Sequence, residues 1–331
     1  MAWLARSDGT VVIGEGPFEP ASGPPADGVA FLVHDFPLSS PRPWYLPARS
    51  RTVTAAAFSS EFGDDAPPDI LWTPPDAAPF ADVFQQVMRA IRGGVFEKTV
   101  PVVVEKGSAS VHPAAAIVSA MARQPTPLRS YGWIAGRRGF AGATPELLIS
   151  LAGDRLRTMA LAGTARSEDR EVFAVDEKEI REHEYVAQTL VAKLLDFGRM
   201  ERHSREILDL GSLVHFLTHI RVDLRQPQTP DELIRRLHPT PALGPLPRTG
   251  ETLRLLDGWR RDLGCPAEFG APFGVWDRGR FDAVVAIRGV WWDDLQVAIP
   301  AGCGVIEASR LVNEWHELRL KRESVKRFLD P

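Results

Sequence analysis

Apolar residues recur at helical spacing over residues 80–93, where Phe80, Val83, Phe84, Val87 and Ile91 precede Gly93-Gly94. That spacing predicts a helix stopped by the glycine pair. Ahead of it the pattern differs, because 13 of the 28 prolines precede residue 80, in clusters such as Pro24-Pro25 and Pro67-Pro68. Proline breaks helices and central strands, so short strands joined by turns are predicted there, residues 29–33 and 52–58 among them. Beyond residue 93, residues 99–104, 147–151, 216–224, 284–290 and 296–299 alternate or run apolar as strands do. Residues 113–123, 176–197, 230–236, 250–262 and 313–329 carry helical spacing instead. The result is a mixed α/β chain without strict βαβ alternation. The change of pattern divides it into a proline-rich portion, residues 1–79, and a larger, catalytic region, residues 80–331.

Composition narrows this. At 331 residues, with 44% hydrophobic and 25% charged residues, the chain has the make-up of a soluble globular protein. Thirty-nine Lys+Arg against 43 Asp+Glu leave a net charge of -4, which supplies no global field for nucleic acid or an anionic membrane. An anionic substrate must therefore be met by local cations. Cys265 and Cys303 form neither a disulfide framework nor a CxxC pair, so buried, reduced thiols are expected. With no apolar leader or long apolar run, the expected location is cytoplasmic.

Candidate chemistry enters with glutamates on the wrong face. On the helix predicted over residues 176–197, Glu179 and Glu182 fall within about 60° of the stripe of Val186, Leu190, Leu194 and Phe197. The last helix repeats the arrangement, with Glu314, Glu317 and Lys321 beside Leu318, Val325 and Phe328. Taken singly, Glu179 reads as a capping-box residue behind Asp176, and Glu317 with Lys321 as a surface i,i+4 pair. Taken together, four carboxylates facing a core need a compensating cation. Oxygen ligands without a His/Cys cluster point to Mg²⁺.

Other pieces are ambiguous alone. Thr144-Pro145-Glu146 reads as a helix start. Ala162-Gly163-Thr164 is a turn or a backbone cradle for an anion. His215 and His219 have zinc-ligand spacing for a helix, but residues 214–224 alternate like a strand, which disfavours a zinc pair. Arg288, after Ala283–Ile287, is a solvated strand end or a carboxylate clamp.

In order along the chain, Phe96-Glu97-Lys98, Ala143-Thr144-Pro145-Glu146, Leu161-Ala162-Gly163-Thr164-Ala165-Arg166, Lys178-Glu179-Ile180-Arg181-Glu182-His183, His238-Pro239-Thr240-Pro241-Ala242-Leu243, Ala286-Ile287-Arg288, Ala301-Gly302-Cys303-Gly304 and Glu314-Trp315-His316-Glu317 with Lys321 resemble the chorismate-utilising enzyme family. The resemblance implies a fold of α+β type, with large, mostly antiparallel sheets flanked by helices and a site between their halves, of which residues 1–79 would form a reduced part. It further implies chorismate and Mg²⁺. Glu182 and Glu317 match the main metal ligands, and Glu179 and Glu314 the outer carboxylates. Gly163, Thr164 and Lys321 match contacts on the ring-carboxylate side, and Arg288 and the backbone at Gly302 the grip on the enolpyruvyl carboxylate. His215 and Phe269 fall on the substrate side. Lys98 matches the general base that activates water, and Glu146 the acid that protonates the leaving hydroxyl, which requires Lys98 to be partly neutral and Glu146 partly protonated.

Within the family, ammonia-using anthranilate synthases typically carry Gln at Lys98, and aminodeoxychorismate synthases often carry Lys at Ala162. Lys98 and Ala162 therefore favour water and an isochorismate synthase, a monomer with no glutaminase subunit. Salicylate synthases tend to have Tyr at Phe269 and Leu at Ile287, so salicylate synthase is the alternative. Pro245 and Pro300 depart from the family pattern, which leaves a non-catalytic chorismate-binding protein as the alternative of another class.

Overall fold

A computed structural model describes residues 1–330. Seventeen strands join one sheet system in which every pairing is antiparallel. One half runs, by hydrogen-bonded neighbours, from Ile70–Thr73 through Val102–Ala109, Gln296–Gly302, Gly289–Asp293 and Arg138–Thr144 to Arg129–Ala135. Ala2–Ala5 bonds both this half and Thr10–Ala21, which starts the other. That second half continues through Trp44–Thr54, Val29–Val33, Pro272–Asp277, Arg280–Val285, Leu147–Ala152 and Arg155–Arg166 to Leu213–Leu224. The proline-rich first 79 residues thus supply five strands of the same sheet system.

Each half buries one face against helices. The apolar stripe of the helix Glu177–Leu194, Val186, Leu190 and Leu194, packs with Leu148, Ile149, Ile220 and Val222 of the second half. The helix Leu311–Leu329 sets Val325 and Leu329 against Val290, Val297 and Ile299 of the first. Between the halves lies an aromatic layer in which Tyr131, Phe140 and Phe273 meet. Cys303 is buried as expected, whereas Cys265 is half-buried, and both are free.

Four sequence expectations change. The strands among the early prolines are not all short: Thr10–Ala21 and Trp44–Thr54 run 12 and 11 residues, with Pro17 lodged where their register slips between Glu15 and Phe18. Residues 52–58 are not one strand: the strand ends at Thr54, whose Oγ1 accepts from Ala57 N at 3.1 Å and caps a helix, Ala55–Phe62. Ala55-Ala56-Ala57 favours helix once the cap is made. Thr144-Pro145-Glu146 starts no helix, because the alternation resumes at once as the strand Leu147–Ala152. The run 284–290 is two strands, Arg280–Val285 and Gly289–Asp293, parted where Arg288 takes a left-handed φ of 56°. These last two breaks are where the chain crosses between the halves. They are adjacent in space, since Val285 N donates to Glu146 O at 3.1 Å and Ala143 N to Arg288 O at 3.0 Å.

Candidate active site

Both crossings open onto one cavity. Its lining includes Glu146 and Arg288 from the crossings and Gly163, Thr164 and His215 from the second half. Glu182, Phe269, Gly302 and Lys321 complete the set of expected residues on its wall. Lys98, Glu179, Glu314 and Glu317 stand behind that wall and reach it through their partners.

The Gly163 position is a bulge, with the register of Arg155–Arg166 against Leu213–Leu224 slipping between Ala162 and Ala165. Gly163 adopts φ 74°, and a Cβ there would come within 3.3 Å of Glu179 Oε2 and 3.2 Å of Phe216. The positive φ favours glycine, and the tight space favours it further. The bulge turns Thr164 N toward Glu179 Oε2, 2.8 Å away. It also turns Gly163 O toward His215 Nδ1, at 2.8 Å.

That contact fixes a tautomer. A carbonyl only accepts, so Nδ1 carries the hydrogen and Nε2 is free to accept from Arg288 Nη2 at 3.0 Å. Burial, with Arg288 beside it, holds His215 well below its usual value and hence neutral. Arg288 Nη1 donates to Ser324 Oγ. Burial lowers the Arg288 guanidinium to about 10 against the pull of Glu317, which leaves it charged at neutral pH. Its hydrogen-bonding partners are neutral, and among the described residues no carboxylate lies within ion-pair distance of it.

The other end is the reverse. Lys98 is fully buried, with Nζ 3.0 Å from Glu182 Oε1 and donating to Pro241 O at 2.6 Å. Lys321 Nζ lies 2.7 Å from Glu317 Oε1 and donates to Gly302 O at 2.9 Å. Lys178 Nζ sits between Glu179 Oε1 at 3.0 Å and Glu314 Oε1 at 3.1 Å. Burial pushes Glu182 up, but Lys98, Lys178 and Lys321 outweigh it and the net shift is down. Glu179 and Glu314 go the other way, each to about 7, through burial and then the surrounding glutamates. Glu314 Oε1 meets the Lys178 ammonium, while neither of its oxygens makes a hydrogen bond of good geometry. Glu146 is pushed up to about 8 by burial, offset in part by Lys98 and Lys321. It is therefore mostly a neutral acid at pH 7.

As they stand, the carboxylates are separated by lysines, and no three acidic or histidine side chains among the described residues converge to enclose a metal ion. The donor set nonetheless suits a hard divalent cation. It offers only oxygens, and two of the four carboxylates are raised by burial and then by like charge.

Two residues that sequence reasoning left out of the site emerge. Lys178 is the cation between the outer carboxylates, a role hidden because it lies off the apolar stripe. Gly304 has no room for a side chain, since a Cβ would meet Glu182 Oε1 at 2.1 Å and Lys98 Cε at 2.7 Å. The Gly302-Cys303-Gly304 spacing was its only sequence signal.

Comparison with known proteins adds the family. A family profile described as chorismate binding enzyme matches residues 58–330. The isochorismate synthase EntC of Escherichia coli K12 is 32% identical over 194 residues, 54% of this chain and 48% of that protein. The isochorismate synthase MenF of Bacillus subtilis is 31% identical over 198 residues, 55% of this chain and 40% of its own length. The matched part thus spans about half or less of these curated relatives. The solved structure of MenF, the menaquinone-specific isochorismate synthase from Escherichia coli, superposes with a TM-score of 0.80, covering 100% of this chain and 89% of that one at 20% identity. The profile match takes in most of the chain and every residue lining the cavity, and the chain belongs to the chorismate binding enzyme family.

Proposed function

We propose that this chain is an isochorismate synthase, adding water to C2 of chorismate with a shift of the ring double bond and departure of the C4 hydroxyl. The observation that carries the reading is Glu146. A carboxyl held near 8 on the wall of a cavity that also presents an uncompensated Arg288 is equipped to protonate a leaving hydroxyl on an anionic substrate.

Arg288, held by His215 and Ser324, would take the enolpyruvyl carboxylate in a forked contact, with the backbone at Gly302 beside it. Lys321 and the Gly163-Thr164 backbone would face the ring carboxylate. Once its ion pair with Glu182 is broken and its own proton has passed to solvent, Lys98 would, as the neutral amine, receive the proton of the attacking water. Glu146 would give its proton to the C4 oxygen, so one water enters, one leaves, and the reaction is an isomerisation.

Mg²⁺ held by Glu182 and Glu317, with Glu179 and Glu314 outside them, would supply a counter-charge for the ring carboxylate. Lys178 and Lys321 already answer part of the acidic charge there, so loading requires these pairs to rearrange. The reading needs no glutaminase subunit and carries with it a monomeric, cytoplasmic enzyme. No helix among the described residues is long and apolar enough to cross a membrane.

The test is the product profile of purified protein given chorismate and Mg²⁺, resolved by chromatography. Isochorismate is expected. Salicylate with pyruvate would transfer the assignment to a salicylate synthase, ammonium-dependent anthranilate would overturn water as nucleophile, and tight chorismate binding without turnover would indicate a binding protein.

A further inference from the structure

Away from the cavity, an open groove lies across three neighbouring strands, Arg155–Arg166, Leu213–Leu224 and Gly198–Arg202. Arg155, Arg157, Arg199 and Arg221 line it, against two acids, Glu201 and Asp223. In a chain of net charge -4, this is a local excess of positive charge. The register sharpens it. Arg157 stands directly opposite Arg221, a like-charge arrangement that costs stability on antiparallel strands. Asp223 is placed between Arg155 and Arg199, and Glu201 opposite Arg221. Yet among the described residues none of the four arginines forms an ion pair, and Glu201 is engaged by His203 Nε2 at 3.5 Å. Arg157 donates only to Ser150 Oγ, at 3.3 Å. Next to it Arg129 is half-buried with its Nε unpartnered.

We propose that this groove binds a small polyanion carrying phosphate or carboxylate groups. Adjacent strands are about 4.8 Å apart and alternate residues about 6.8 Å, so the four guanidinium groups cover a patch roughly 10 Å across. That is the scale of a diphosphate or a tricarboxylate, and guanidinium forks match the oxygens of either. A single-stranded nucleic acid is disfavoured, because no aromatic side chain lines the groove to stack a base. An anion bridging Arg157 and Arg221 turns their repulsion into shared attraction.

The experiment is calorimetric titration of the whole protein at low ionic strength, with pyrophosphate and citrate as separate probes, and with the Arg157→Thr/Arg221→Thr variant beside the wild type. Saturable one-to-one binding of at least one probe is expected, weakened at least about ten-fold in the variant and by added salt, with chorismate turnover unchanged. Which probe binds more tightly identifies phosphate or carboxylate as the ligand chemistry. Thermal melting without polyanion gives a second readout, in which Arg221→Thr melts no lower than the wild type and gains nothing from the tighter probe. Absence of saturable binding overturns the proposal. So does binding that survives in the variant, which would move the anion to Arg288 and leave the proposed catalytic reading standing.

Discussion

The two ends of the cavity handle charge in opposite ways. At the glutamate end every lysine is already matched to a carboxylate: Lys98 to Glu182, Lys178 to Glu179 and Glu314, Lys321 to Glu317. At the other end Arg288 is fixed by His215 and Ser324, neutral groups that orient the guanidinium and leave its charge uncancelled. One end is a set of exchangeable ion pairs and the other a rigid, unspent cation. For an anionic substrate the difference separates two tasks, since Arg288 can bind at once whereas the glutamate end must rearrange.

The largest effects should come from the two groups proposed to handle protons. Glu146→Gln keeps the shape and removes the acid, and a loss of roughly 10² to 10⁴ in kcat is expected in steady-state assays. The wild-type pH profile should corroborate it. If Glu146 is the protonated acid proposed, activity is present below pH 8 and falls as pH rises through its value of about 8, a limb that Glu146→Gln abolishes. Lys98→Gln should lose hydration to a similar degree; unchanged activity would remove it as the base.

Next in size is the rigid cation. Arg288→Met removes a forked charged contact, and roughly a hundred-fold loss of kcat/KM is expected, mostly in KM. An unaltered KM would show that the two ends do not differ as described.

A smaller effect, on stability, probes the paired end. Glu314 has its folded value raised to about 7 from an ordinary 4.5, so the folded chain binds its proton more tightly than the unfolded chain, and stability falls as pH rises between those values. Glu314→Gln should therefore melt higher than the wild type at pH 8 without metal, by on the order of 1 to 2 kcal/mol. Its melting temperature should also rise less on adding Mg²⁺. Equal Mg²⁺ responses would detach Glu314 from the cation. The smallest change is Ser324→Ala, which loosens Arg288 without removing it and should cost about 1 kcal/mol, seen as a several-fold rise in KM at constant kcat.

Helix positions were legible because a stripe of Val186, Leu190 and Leu194, or of Leu318 and Val325, repeats over many turns, and the same stripes exposed the misplaced glutamates. The crossings were not. Residues 284–290 look like one strand, since nothing local in Ile287-Arg288 announces a left-handed backbone; the turn is imposed by Ala143 N on Arg288 O and by Tyr131 Oη, which donates to Ile287 O at 2.9 Å. Thr144-Pro145-Glu146 satisfied the rules for a helix start, but the strand partners of Leu147–Ala152 override them. Lys178 escaped notice for a related reason. A lysine beside a glutamate in a first helical turn is an ordinary surface pattern, and only the approach of the last helix, bringing Glu314, makes it internal. The His215–Arg288–Ser324 chain joins residues 73 and 36 positions apart, beyond the reach of any spacing argument.

The most direct test of water attack is the conversion of chorismate in ¹⁸O-enriched water, with the product hydroxyl analysed by mass spectrometry. Isochorismate carrying one ¹⁸O at C2 is predicted. Unlabelled isochorismate, formed by internal transfer of the C4 hydroxyl, would contradict the roles given to Lys98 and Glu146.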